Sequence, residues 1–375
     1  MDLKINHTKK LLLSFFIISL VFTFSTCKNT TTNDNTSVLV KNENKVEESP
    51  LDTMFSLVKF IKLETIEQSL IKDISKIRKV NGKYFISSNY QELLVFLEDG
   101  SFSHKINKIG NGPGEYSMLA DFDVLSNNNI LVLDAKKIVV YDENGDCIKN
   151  IPLSIVGFNV KAVSEEEILV CASGEEYVIY LLDYSGNILS QWLKNKKSTS
   201  IGSNVPFISL NHNQVIFQIG FSNDFISYDI KGKKMTEISL LNNSDCLSSE
   251  REDALLEQYG FAYLDEFPSL KMAFGIASCK DYLLFKLGND AGHRVYLVDT
   301  KNDFKLKYKS VLINDENSDK NKLNIDYAHF GIADSCFITY VPYSSFDLIQ
   351  KNYDIEISSE DENPVLMEFI VNGVR

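Results

Sequence analysis

Along most of the chain, short apolar runs alternate with polar punctuation in the rhythm of strands. From Leu51 onward, runs rich in Val, Ile, Leu, Phe and Tyr are separated by Gly, Asn and Asp at intervals suited to antiparallel pairing. Four segments carry the pattern most clearly: LLVFLEDGSFSHKI, IVVYDENGDCIKNI, YLLDYSGNILSQWL and FISYDIKGKKMTEI. Each is an apolar strand, a tight turn ending on Gly100, Gly145, Gly186 or Gly232, and a second strand. The glycines are 45, 41 and 46 residues apart, a period that suits a four-stranded propeller blade. A second register agrees with the first. Phe122, Phe158, Phe207, Phe274 and Phe330 each open a unit just before a strand pair, and FGIA occurs at both 274 and 330.

With a first unit at DISKIRKVNGKYFISS, the count is six. The sixth lacks a strand, and SLVKFIKLE at 56–64 supplies it from the N-terminal side, pairing what would otherwise be two exposed edges. The expectation is an all-β, six-bladed propeller over 51–375, closed by that strand and carrying insertions at 241–271 and 343–363. Within the first insertion, SSEREDALLEQYG has candidate N-caps in Ser248 and Ser249, early acids and a terminal Gly260, which predicts a short helix.

The chain before the propeller is different in kind. Lys4, Lys9 and Lys10 precede an apolar run from Leu11 to Phe24, the layout of a secretory signal and too short for a membrane span of about 20 residues. The run closes on FSTC, which resembles a bacterial lipobox with Phe24 for the usual Leu and Thr26 for Gly or Ala. Residues 1–26 are therefore read as a signal peptide and Cys27 as the lipidated residue, with an ordinary signal peptide or an uncleaved anchor as the other readings. Residues 28–50 are mostly Asn, Thr, Lys, Glu and Asp without an aromatic, so 27–50 is expected to be a flexible tether.

Charge narrows the partners. The full chain carries 38 basic and 51 acidic side chains; removing residues 1–26 takes three lysines and one aspartate and leaves 35 against 50, net −15. Nucleic acid is an unsuitable partner for such a chain, and attachment to anionic lipid would have to come from acyl groups. Five cysteines remain beyond Cys27 with no C-x-x-C pair, and Cys171, Cys279 and Cys336 lie in or beside apolar runs where a thiol packs as a small core residue.

The stretch KIGNGPGEY departs from the strand rhythm. It lacks the following helix of a dinucleotide fingerprint and the Gly-Lys-Ser/Thr of a P-loop. Gly112, Pro113 and Gly114 suit a type II turn, with Pro113 fixing φ near −65° and Gly114 supplying φ > 0. Glu115 and Tyr116 admit two readings: framework of the loop, or ligand contacts at the face of the ring. Alternation of strand direction puts this loop, both insertions and GNDAGHR at 288–294 on one face, so His293 and Arg294 join Glu115 and Tyr116 as candidate ligand-binding residues on surface loops.

FIKLETIEQSLIKDISKI near the start, KIGNGPGEY followed by DFDV, and ENPVLMEF at the end resemble the six-bladed propeller lipoproteins of Bacteroides-type bacteria, relatives of the NHL-repeat propellers. The resemblance implies the fold and an envelope location, with the outer membrane as its site. It implies no general activity.

Catalytic and metal signatures are sparse. His104, His212, His293 and His329 show no metal-ligand spacing, so neither a metal nor a cofactor is expected. There is no G-x-S-x-G elbow. Asp134, Asp142, Asp183, Asp229 and Asp299 mostly recur with the strand–turn repeat and read first as turn formers. The expected function is a lipid-anchored binding or scaffold module for a glycan, peptide or envelope protein. The other reading is a hydrolase or lyase on carbohydrate or peptide, with a site assembled in the central channel from separate blades.

Overall fold

A computed structural model of the chain describes residues 37–40, 46–50, 53–197, 207–210, 213–241, 243–289, 292–302, 304–310, 331–333, 335–341, 346–353, 356–357 and 362–372. Residues 1–26, expected to be a signal peptide, Cys27, His212, His329, Phe330 and parts of the 343–363 insertion lie outside the described residues. What is described is a six-bladed β-propeller. Blade 1 comprises Lys76–Val80, Lys83–Ser88, Glu92–Phe96 and Phe102–Ile106. Blade 2 comprises Asp121–Val124, Ile130–Asp134, Lys137–Tyr141 and Cys147–Pro152, and blade 3 Gly157–Ala162, Glu167–Ala172, Tyr177–Asp183 and Ile188–Lys194. Blade 4 follows with Phe207–Leu210, Gln214–Gln218, Asp224–Asp229 and Lys234–Leu241, and blade 5 with Met272–Cys279, Tyr282–Asn289, Gly292–Asp299 and Lys305–Ser310. In blade 6, Phe337–Val341 and Val365–Val371 are joined by Phe55–Lys62, which pairs antiparallel with Val365–Val371 from Val371↔Phe55 to Val365↔Lys62, while the short strand Ile332–Ala333 that precedes them pairs parallel with Lys76–Val80 of blade 1. Closure by the N-terminal strand is thus as the sequence predicts.

The continuous apolar runs follow from stacking. Successive side chains of a strand point to opposite faces, and a middle strand of a blade has a neighbouring blade on each side. In Ile130–Asp134, Ile130 and Val132 pack with blade 1 residues such as Phe85 and Leu93, whereas Leu131 and Leu133 pack with Val160 and Ile168 of blade 3. The core is accordingly six wedges, one between each pair of adjacent blades, where each fully buried Val, Leu, Ile or Phe contributes roughly 1.5–3 kcal/mol. Cys171, Cys279 and Cys336 sit in these wedges as small core residues.

The recurrent glycine marks where one blade's outer turn meets the preceding blade. A Cβ on Gly100 would lie 2.0 Å from Lys62 O of blade 6, and one on Gly186 would lie 2.2 Å from Pro152 O of blade 2. The aspartate of the same turn holds the loop. Asp142 Oδ1 accepts from Asn144 N and Asp146 N, each at 2.9 Å; Asp183 repeats the arrangement, and Asp229 and Asp299 accept from the N–H groups two and three positions on.

The flexible tether expected over 27–50 needs correction in its second half. Ser37–Val40 adds as a fifth, parallel strand to the outer edge of blade 4 (Ser37↔Ile238, Val40↔Leu241), and Glu48–Ser49 does the same on blade 5 (Glu48↔Lys309). Leu39 and Val40 are buried in the wedge between blades 4 and 5. Bulk composition hides this because four residues, SVLV, suffice once an open strand edge is present to receive their backbone groups.

Candidate functional site

Strand order fixes which loops share a face. Connections from the outer strand of one blade to the inner strand of the next lie on the same side as the hairpins between second and third strands. On that side emerge the loop 107–120, the helix Ser249–Tyr259 and the helix Phe346–Tyr353. The helix Ser249–Tyr259 starts where the sequence places it: Ser248 Oγ accepts from Arg251 N, and Gly260 ends it at φ 59°. It is seated by Glu252, fully buried, whose carboxylate accepts from Phe221 N at 3.2 Å and from the Tyr263 hydroxyl at 2.9 Å. Burial raises the Glu252 carboxyl to about 7, against the pull of those bonds and with Asp253 and Asp224 adding to the rise.

The glycine-rich loop is a framework element. Gly114 has φ 75°, as the type II turn requires, and a Cβ there would meet Cys147 Cβ at 2.8 Å. Glu115 Oε2 accepts from Gly112 N at 2.7 Å, folding the carboxylate back onto the loop. Tyr116 is fully buried and its hydroxyl donates to Gln91 O at 2.7 Å or Ile106 O at 3.0 Å, while Tyr141 donates to Gly114 O at 2.7 Å. Of the two readings of Glu115 and Tyr116, the geometry is that of the framework.

His293 and Arg294 are likewise moved out of a surface loop. The hairpin strands run to Asn289 and Gly292, so Gly288↔His293 and Leu287↔Arg294 are ladder pairs. His293 is buried with its ring 5.8 Å from that of Phe274, and Arg294 Nε holds Glu48 Oε1 of the added N-terminal strand at 2.8 Å. The structure does not bring Glu115 and Tyr116 together with His293 and Arg294, which lie on different blades.

What the face exposes is apolar. Twelve large hydrophobic side chains are exposed among the described residues, and eight belong to this face: Ile66 and Leu70 before blade 1, Tyr90, Ile109, Met118 and Phe158 across blades 1–3, and Tyr259 and Phe261 in the insertion. The four across blades 1–3 lie along one hydrogen-bonded path. Leu119 N donates to Tyr90 O, Ser117 N and Oγ donate to Asp134, and Gly157 N donates to Ala135 O. Ile109 bridges to Tyr116 in the same loop. Sequence reasoning marked only Phe158, and as the aromatic that opens its unit; the loop residues escaped because periodicity says which way a strand residue points and nothing about a loop residue.

The channel wall carries a second feature missed from sequence. Lys76 and Arg78 of blade 1, Asp121 and Asp123 of blade 2 and Lys161 of blade 3 are all buried on inner strands. Lys76 donates to Asp121 at 2.8 Å, Lys161 to Asp123 at 2.9 Å, and Arg78 Nε lies 3.4 Å from Asp123. Asp121 Oδ2 also accepts from Val160 N, and Asp123 Oδ2, the oxygen that takes Lys161, also accepts from Ala162 N, linking inner strands of adjacent blades. Burial raises both carboxyls, but Lys161, Arg78 and Lys76 outweigh it at Asp123 and bring it to about 2, while Asp121 remains raised despite Lys76. The available signal was the charged residues alternating through the first strands, KIRKV, DFDV and NVKA. No group of three or more His, Cys, Asp or Glu among the described residues is arranged to hold a metal.

A closed ring of six blades with one loop-rich face defines a six-bladed β-propeller. Comparison with protein families makes this specific: the model of DUF5128, a 6-bladed beta-propeller family, matches residues 27–252, and the chain belongs to that family. A solved structure from Bacteroides fragilis NCTC 9343, described as an exported protein, is similar at 18% identity and TM-score 0.68, covering 89% of this chain and 99% of its own. A DUF4221 member from Bacteroides vulgatus ATCC 8482 is similar at 12% identity and TM-score 0.54, covering 86% and 99%. No curated protein matches the chain.

Proposed function

We propose that this propeller is a cell-envelope binding or scaffold module, attached to the outer membrane by lipid at Cys27 and presenting its loop-rich face to a glycan, peptide or envelope protein. The observation that carries the binding role is the concentration of exposed large apolar side chains on that face, since such patches mark interaction sites. The extracytoplasmic location rests on the charged-then-apolar N-terminus and on likeness to an exported protein. The test is affinity capture from native envelopes, with mass spectrometry of proteins and glycans. Phe158→Ser with Phe261→Ser should lose the captured species, whereas Ile148→Ser with Leu189→Ser, off the face, should retain them. Equal retention by both pairs would refute the reading.

One observation favours the hydrolase or lyase reading: Asp121 and Asp123, neighbours on an inner strand, are shifted in opposite directions, as acid and base pairs are. Against it, both carboxylates are engaged by strand N–H groups and lysines.

A further inference from the structure

We infer that the arc across blades 1–3 of the loop-rich face, with Tyr90 at its blade 1 end, docks an apolar polypeptide segment flanked by acidic residues. This deepens the binding reading and rests on it. The first observation is backbone conformation. Gln91 N donates to Ser88 O across a tight turn whose central residues, Asn89 and Tyr90, have φ 54° and 53°. Two successive positive φ values are the pattern of a type I′ turn, where Asn-Gly is preferred. Asn tolerates the left-handed region; a tyrosine does so at a cost. That cost gains nothing for the core, because Tyr90 is 42% exposed. Strain held at an exposed aromatic is expected where the side chain is used for contact.

The second observation is what surrounds it. Met118 and Ile109 are 45% and 46% exposed on the adjoining loop, and Phe158 is 51% exposed at the next blade. Aromatic residues and Met are enriched at the centres of protein interfaces. Aliphatic Ile109 and Met118 supply apolar surface without the hydrogen-bonding groups that a sugar would require.

Charge selects the flanks of the partner. The acids of the arc each have a partner within the fold: Asp73 in Asn89 N, Glu92 in Lys105, Glu115 in Gly112 N, Asp134 in Ser117 and Lys137, Glu175 in Val156 N and Glu176 in Lys194. Lys72, whose own N–H donates to Ser88 Oγ beside the turn, and Lys136, next to Ala135, are exposed. On a chain of net charge −13, this arc therefore offers lysines outward, and a segment bearing Asp or Glu beside its apolar residues complements it.

The test is selection of a random-peptide display library on the immobilised propeller, run beside a glycan array, with wild type and Tyr90→Gly. Enriched peptides should combine aromatic or aliphatic residues with Asp or Glu. Tyr90→Gly should weaken their binding roughly tenfold or more while leaving the melting temperature unchanged or higher, because glycine relieves the turn. Lys136→Glu should weaken the same peptides and reduce the salt dependence of their binding, Lys72 retaining part of it. A lower melting temperature for Tyr90→Gly would make the tyrosine structural and overturn the inference. So would enrichment of no peptide, or of peptides indifferent to Tyr90 and Lys136. Glycan binding lost with Tyr90→Gly would overturn the partner class alone. Binding lost with Phe261→Ser but not Tyr90→Gly would move the site to the insertion and leave the loop-face reading standing.

Discussion

Blades 4 to 6 and blades 1 to 3 share one strand plan and are finished differently. Around blades 4, 5 and 6 the chain covers its own edges: Ser37–Val40 and Glu48–Ser49 lie on two outer strands and Phe55–Lys62 is the third. The face of that half also carries the described helices Ser249–Tyr259 and Phe346–Tyr353. Around blades 1 to 3 no strand is added to an outer edge among the described residues, the one addition being Ile332–Ala333 on the inner strand of blade 1, and the face exposes Tyr90, Ile109, Met118 and Phe158. An architecture of repeated blades is thus finished in two ways: in one half the chain adds strands to its outer edges and helices to its face, and in the other it does not.

The largest effect expected from breaking this comparison comes from removing residues 53–62. The ring then loses its closing strand, and Val365–Val371 becomes an open edge. Aggregation or loss of the cooperative thermal transition is the expected result, whereas removal of 37–50 should lower the melting temperature by roughly a few degrees. Equal effects by calorimetry would contradict the ranking of closure above covering.

Next in size is the open half's own fastening. Asp123→Asn leaves Arg78 and Lys161 buried without their counter-charge and should cost about 3–5 kcal/mol by denaturant unfolding. Asp123 titrates at about 2 when folded, below its ordinary 3.8. Its contribution is therefore complete above about pH 4 and is lost as pH falls toward 2, so the wild-type advantage over Asp123→Asn should shrink over that window. A pH-independent gap would count against the charge pairing.

The smallest effect is on the covered half. Glu252 holds its proton up to about pH 7 in the folded insertion, above the ordinary 4.5. With the folded value raised, its stabilisation is fully present below about 4.5 and is lost as pH rises through 7. Amide exchange of the helix Ser249–Tyr259, corrected for intrinsic rates, should accelerate across that range in wild type and lose the dependence in Glu252→Gln. A slope that persists in the variant would place the titration elsewhere.

What could be read from sequence was whatever is local. The Asp–Gly turns declare themselves within five residues, because Asp142 and Gly145 solve one turn together, and their spacing yields the blade count. The Gly260 stop and Ser248 cap are local in the same sense. The channel pairs are not: Lys76 meets Asp121 across 45 positions, and nothing near either residue specifies the other. The SVLV strand was hidden because its partner edge is created only by the finished blade 4. His293 and Arg294 were misplaced because strands Tyr282–Asn289 and Gly292–Asp299 extend beyond the average strand, leaving almost no loop. Tyr116 was ambiguous because a tyrosine beside a turn can face inward or outward with equal sequence support.

Joining the first strand of the propeller to the last also sets an order of events. Phe55 finds its partner Val371 across 316 residues, so the circle cannot be completed until nearly the whole chain is available. Contacts of such sequence separation slow folding, since the loop between them must be ordered before they contribute. Blades 1 to 5 can each form from contiguous chain, but blade 6 cannot. A chain in which that pairing has not formed is an unclosed arc with an apolar wedge surface at each end, and the final pairing turns it into a ring whose two terminal strands hold each other in place.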